Sequence, residues 1–139
     1  MKESDEMQLV EIATRAMKSS YAPYSRFNVG AALLTQEGEV FCGCNVENAA
    51  FGCTNCAERT ALFKAVSEGR RVFSAIAIVG GREGKIESFC PPCGMCRQVL
   101  SEFCDKDFCV VLTDGTGKHK CITLGELLPQ SFSLKDDSK

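Results

Sequence analysis

Three thiols and one carboxylate stand at spacings that suit metal chemistry. Cys56-Ala57-Glu58 forms one segment and Pro92-Cys93-Gly94-Met95-Cys96 the other. Zn²⁺ takes thiolate ligands in tetrahedral sites, and a catalytic site keeps one position open for water. Cys56, Cys93 and Cys96 supply three corners. Glu58 lies two residues past its thiol, too near to be a second ligand on the same helical face but placed to reach the open position and move a proton. The competing reading is a closed site. Cys53-Thr54-Asn55-Cys56 and Cys93-Gly94-Met95-Cys96 are both C-x-x-C pairs, the spacing of structural zinc. A fourth thiolate from Cys53 would leave no place for water. A thiol-redox reading of Cys93 and Cys96 is weaker, because it gives Cys56 and Glu58 no task.

Both segments fall at the start of predicted helices, Cys56–Glu68 and Cys93–Phe103. Unpaired N–H groups and the helix dipole favour anions there, which helps a thiol become the thiolate that binds metal. Asn55 is the expected N-cap of the first helix, and Pro91 and Pro92 precede the second, where a missing N–H costs nothing. Three thiolates overcompensate the charge of the cation. Arg59 and Arg97 directly follow the two motifs and could donate hydrogen bonds to sulfur, Arg59 being the stronger candidate.

The remaining pattern supplies a frame. Apolar residues at Leu9, Val10, Ala13, Ala16 and Met17 predict a helix over Met7–Ser20, capped by Ser4 or Asp5. Strands are predicted at Phe27–Thr35, Glu39–Cys44, Phe73–Val79 (ended by Gly80-Gly81), Phe108–Leu112 and His119–Ile122. A short helix, Leu124–Leu128, stops before Pro129, and the polar tail Lys135–Lys139 is expected to fray. Residues 1–139 then form one domain: an α/β fold, a three-layer α/β/α sandwich on a mixed five-stranded sheet, with a parallel crossover around the second ligand helix. Polar Asn45, Glu47 and Asn48, after the second strand, are candidates for substrate contacts.

Composition sets limits on partners. A net charge of −2 disfavours binding of a phosphate backbone over a broad surface. No apolar run is long enough to span a membrane and no signal peptide is evident, so a cytoplasmic location is expected. In that compartment the ten cysteines are expected to be reduced rather than bridged. Those outside the ligand set, Cys42, Cys44, Cys53, Cys90, Cys104, Cys109 and Cys121, read mostly as small buried hydrophobes.

Cys-Ala-Glu-Arg-Thr-Ala at 56–61 and Pro-Cys-Gly-Met-Cys-Arg-Gln at 92–98 resemble the small, homotetrameric, zinc-dependent class of cytidine deaminase. The segments Tyr24–Leu33, Asn45–Asn48 and Leu127–Phe132 resemble it too, so the likeness runs along nearly the whole chain. It implies hydrolytic deamination of cytidine and 2′-deoxycytidine to uridine and 2′-deoxyuridine with release of ammonia, as in pyrimidine salvage, with one Zn²⁺ per subunit. It implies that Cys56, Cys93 and Cys96 are the ligands, that Glu58 carries the proton, and that Arg59 offsets thiolate charge. Phe27, Asn45, Glu47, Ala57 and Phe132 are the implied substrate contacts, with Phe27 on the pyrimidine, Asn45 and Glu47 on the ribose hydroxyls, and Phe132 in a neighbouring subunit's pocket. Cys53 departs from the family's usual small or aliphatic residue.

Overall fold

The computed structural model describes residues 1–135; positions 136–139 of the tail expected to fray lie outside the described residues. The elements are α1 (Glu3–Met17), β1 (Phe27–Thr35), β2 (Val40–Cys44), a 3₁₀ turn at Phe51–Cys53, α2 (Ala57–Ser67), β3 (Phe73–Arg82), α3 (Gly94–Phe103), β4 (Cys109–Thr113), β5 (His119–Thr123) and α4 (Leu124–Leu127). One five-stranded sheet has the order β2-β1-β3-β4-β5. β3 and β4 run parallel, joined through α3, and every other neighbouring pair is antiparallel.

Strand alternation creates the layers. Successive side chains of a strand face opposite sides of its sheet. Ala31 and Leu33 of β1, Ile76 and Ile78 of β3, and Val110 and Leu112 of β4 face a core shared with Ala61 and Leu62 of α2, Leu100 of α3 and Leu124 of α4. Their neighbours Ala32, Ala75, Ala77, Val79 and Val111 face Leu9, Ala13 and Met17 of α1 on the opposite side. The expected α/β/α sandwich is therefore formed, with α1 alone on one face.

Two glycines let the helices sit close on the sheet. A Cβ at Gly30 would collide with the main chain of α1 at Ala13 and Met17, and one at Gly43 would lie 2.5 Å from both Ala57 O and Ala61 N of α2. Only a residue without a Cβ permits these approaches.

The frame departs from expectation at three places. α1 begins at Glu3 rather than Met7, with Lys2 as N-cap, and the Asp5 carboxylate accepts from the Lys2 N–H at 3.2 Å. Gly80 and Gly81 continue β3 instead of ending it. A Cβ at Gly80 would lie 2.8 Å from Cys90 Sγ, so here glycine marks close approach, not a break. Among the cysteines read as reduced and buried, the sulfurs of Cys109 and Cys121 are joined across β4 and β5 as a disulfide, while Cys53 and Cys121 are exposed.

Candidate active site

α2 and α3 point their N-termini at one another, and the two cysteine motifs meet there. Cys56, not Asn55, is the N-cap of α2 and Cys93 the N-cap of α3, so both helices begin one position later than the sequence reading placed them. Cys96 sits in the first turn of α3, on the same side as Cys93. The Sγ atoms of Cys56 and Cys93 are 3.7 Å apart and those of Cys93 and Cys96 are 3.4 Å apart. All three ligand atoms lie within 4.8 Å of one another. A tetrahedral zinc with Zn–S bonds of about 2.3 Å places neighbouring sulfurs about 3.8 Å apart, so the donor set and its spacing fit Zn²⁺.

The group is open. Among the described residues no fourth cysteine, histidine or carboxylate completes it, and Cys53 stands outside it, exposed in the 3₁₀ turn. That removes the geometric basis for a closed four-cysteine site. Burial differs around the three sulfurs, with Cys96 buried, Cys56 half-buried and Cys93 exposed.

Electrostatics here follow from hydrogen bonding and burial. The Cys56 thiol is brought down to about 5, first by the hydrogen bond with Cys96 and then by Arg59, whose Nη2 donates to Cys56 Sγ at 3.2 Å. Cys96 is pushed up, because the proton it shares with Cys56 stays on its own sulfur and because it is buried. The Arg59 Nε is buried with no hydrogen-bond partner. Arg97 does otherwise: its Nε donates to Pro92 O and its Nη1 to Leu127 O, both at 2.8 Å, tying the start of α3 to α4.

Glu58 is 4% exposed. Its carboxyl is pushed up to about 7, chiefly by burial and then by the nearby Cys56 thiolate. A carboxyl held near neutrality can both accept and return a proton, the property a general acid–base catalyst needs.

A cavity of about 270 Å³ opens from this corner, walled by Phe27, Asn45, Glu47, Ala57, Glu58 and Cys90 among others. Asn45 and Glu47, the ends of a three-residue strip, form part of its wall. Val46 exchanges hydrogen bonds with Asn55, next to Cys56, at 2.9 and 3.0 Å, so the strip is fastened to the start of α2. On its other side Tyr21 N donates to Asn45 O, and Glu47 N to Tyr21 O. The Asn45 Oδ1 accepts from Ser20 Oγ and Val29 N, and its Nδ2 donates to Phe27 O, which leaves one amide hydrogen for a ligand. Glu47 accepts from the main-chain N–H groups of Tyr24 and Ser25 at 3.0 Å and from Ser25 Oγ. Led by the Ser25 hydroxyl, these donors hold its carboxyl below the usual range.

Of the residues expected at the site, Phe27, Asn45, Glu47, Cys56, Ala57, Glu58 and Cys93 wall one cavity, Cys96 and Arg59 join it through the sulfur group, and Phe132 stands apart. That ring is 67% exposed beyond α4 and is not part of the cavity wall of its own chain. Ser25 and Cys90 are among the wall residues not expected there. Ser25 carries no signal of its spacing to Glu47, since the hydrogen bond spans a loop and two strands. Cys90 lies in the wall because β3 runs on to Arg82 and turns back; burial pushes its thiol up to about 11.

Residues 3–112 match the family model described as the cytidine and deoxycytidylate deaminase zinc-binding region. The chain is 51% identical over 132 residues to the cytidine deaminase of Halalkalibacterium halodurans, covering 95% of this chain and 97% of that one. It is 48% identical over 132 residues to the cytidine deaminase of Sporosarcina psychrophila, with 95% and 94% covered. The crystal structure of cytidine deaminase from Burkholderia pseudomallei superposes with a TM-score of 0.84 at 48% identity, over 95% of this chain and 100% of that one. Fold and site together define a zinc-dependent deaminase. The chain belongs to the cytidine and deoxycytidylate deaminase family.

Proposed function

We propose that this enzyme hydrolyses cytidine and 2′-deoxycytidine to uridine and 2′-deoxyuridine, releasing ammonia. The observation that carries the reading is a buried carboxylate, Glu58, beside three sulfurs with an open fourth position, in a cavity whose wall also holds Phe27, Asn45 and Glu47. Cys56, Cys93 and Cys96 hold the zinc. When bound there, zinc acts as a Lewis acid that makes a water nucleophilic near neutral pH. Glu58 accepts a proton from the attacking water, delivers it to N3 of the pyrimidine, and then carries the second proton to the departing exocyclic nitrogen. Water and cytidine in, uridine and ammonia out, leaves the carboxylate as it began.

Arg59 keeps charge on Cys56 tolerable, which limits how far three thiolates blunt the Lewis acid. Phe27 packs on the pyrimidine, and the main chain of Ala57 contacts its edge. Asn45 and Glu47 take the sugar hydroxyls. Glu47 stays ionised, since its donors favour the charged form, and a carboxylate at the sugar end repels a 5′-phosphate. A free nucleoside is therefore the substrate in preference to a nucleotide. Phe132, exposed on its own chain, completes the cavity of a neighbour in a homotetramer. A cytoplasmic role in pyrimidine salvage fits this substrate; no described helix is long and apolar enough to cross a membrane.

Absorbance-monitored incubation with cytidine tests the reading. Conversion to uridine that stops on treatment with a chelator and returns with zinc is the expected result. Faster turnover of deoxycytidine 5′-monophosphate than of cytidine would overturn the nucleoside assignment.

A further inference from the structure

A second group of metal-binding side chains lies on the opposite face of the sheet, where the first turns of α1 cross the β4–β5 edge. Cys109 is on β4. His119 and Cys121 are two apart on β5, and the strand period turns both to the same side. In the β4–β5 register Cys121 is paired with Val111 and Cys109 with Thr123, which makes Cys109 and Cys121 diagonal neighbours. Glu6 of α1 reaches down to them. The ligand atoms of Glu6, Cys109 and Cys121 lie within 4.8 Å of one another. The His119 Nε2 is 3.0 Å from Glu6 Oε1, and the two side chains are only 8% and 16% exposed. His119 is the sole histidine of the chain.

We propose that, with Cys109 and Cys121 reduced, Cys109, Cys121, His119 and Glu6 bind a second thiophilic divalent cation, zinc in the first instance. Two soft sulfurs, one imidazole and one carboxylate are the donors from which tetrahedral zinc sites are made. The Cα atoms of the two cysteines are 5.9 Å apart, a separation compatible with a bond between the sulfurs, and turning each side chain about χ1 parts them to flank a cation. Disulfide and bound metal therefore exclude each other. Passage from one to the other needs a dithiol reductant. It gives two electrons and two protons, the S–S bond becomes two thiols, and the reductant closes to its own disulfide. Zinc binding then releases the two protons. Cys121 is exposed, so both reductant and cation have access. The site shares no residue with the catalytic group and sits across the sheet from it.

Zinc-loaded enzyme, treated with a dithiol and freed of loose metal, tests the proposal. The expected result is about two zinc ions per chain, with all ten cysteines titrating as thiols under denaturant. Oxidised enzyme should hold about one zinc ion per chain, with the eight cysteines outside the disulfide titrating. The double variant Cys109→Ser/Cys121→Ser should hold about one zinc when reduced and turn over cytidine at the unaltered rate. If that variant folds poorly, Glu6→Gln/His119→Gln keeps both thiols and should bind the second zinc about tenfold more weakly or worse. A fully reduced chain retaining a single zinc overturns the proposal. So does a second zinc that survives loss of both cysteines, or a Cys109–Cys121 bond that resists the dithiol.

Discussion

The two ends of the cavity solve opposite problems. At the sulfur end negative charge is gathered on purpose, and the fold tolerates it with two helix N-termini, the Arg59 guanidinium and burial of Glu58. The end walled by Asn45 and Glu47 is built differently. There the polar atoms of Asn45 and Glu47 are occupied by neighbours: Ser20, Val29 and Phe27 for the amide, Tyr24 and Ser25 for the carboxylate. One end is tuned by dipoles and desolvation, the other by hydrogen bonds that fix its side chains in place. The first should govern turnover and the second binding.

Replacing Glu58 by Gln is the largest expected perturbation. It keeps the volume of the side chain and removes the proton acceptor, so kcat should fall by about 10²–10⁴-fold or more while zinc content stays unchanged. Near-normal kcat would erase the distinction between the two ends. Glu47→Ala comes next. Loss of a hydrogen bond to a charged acceptor costs about 1.5–3 kcal/mol, or about ten- to a hundredfold in KM for cytidine. The effect should shrink on 2′,3′-dideoxycytidine, which lacks both hydroxyls, and an equal effect on both substrates would show that Glu47 does not read the sugar. Ser25→Ala leaves two main-chain donors on Glu47 and should raise KM by about tenfold or less with kcat preserved. A fall in kcat without a change in KM would place Ser25 in the chemistry instead. The smallest effect belongs to Cys53→Ser, which should alter neither zinc content nor turnover; loss of metal would restore the closed four-cysteine site.

The legible parts of this molecule were those written in local pattern. β1 was read as Phe27–Thr35 and is found there, because an apolar run bounded by turn formers leaves few alternatives. The ligand segments were legible because cysteine spacing on a helix translates directly into a shared face. Helix starts were less so: α1 begins a full turn earlier than its apolar stripe, since the acidic Glu3, Asp5 and Glu6 suit a helix N-terminus without facing a core. Gly80 and Gly81 misled for a related reason. A glycine is a good terminator when only the chain is known, and a close-contact residue once Cys90 and Lys85 are folded back against it. Ser25 on Glu47 and His119 on Glu6 depend on segments far apart in sequence, the latter pair by 113 positions, and no periodicity announces such meetings.

The notch at Gly43 carries a meaning for the catalytic group that its place on a strand conceals. The carbonyl of Ala57 and the amide of Ala61 rest where a methyl would otherwise stand, and Glu58 belongs to the helical turn between them. A missing methyl thus sets the height at which Glu58 rides above the sheet. The pocket is constrained from beneath its floor: even alanine at this position would press on the Ala57 carbonyl and the Ala61 amide and so displace the turn that carries Glu58.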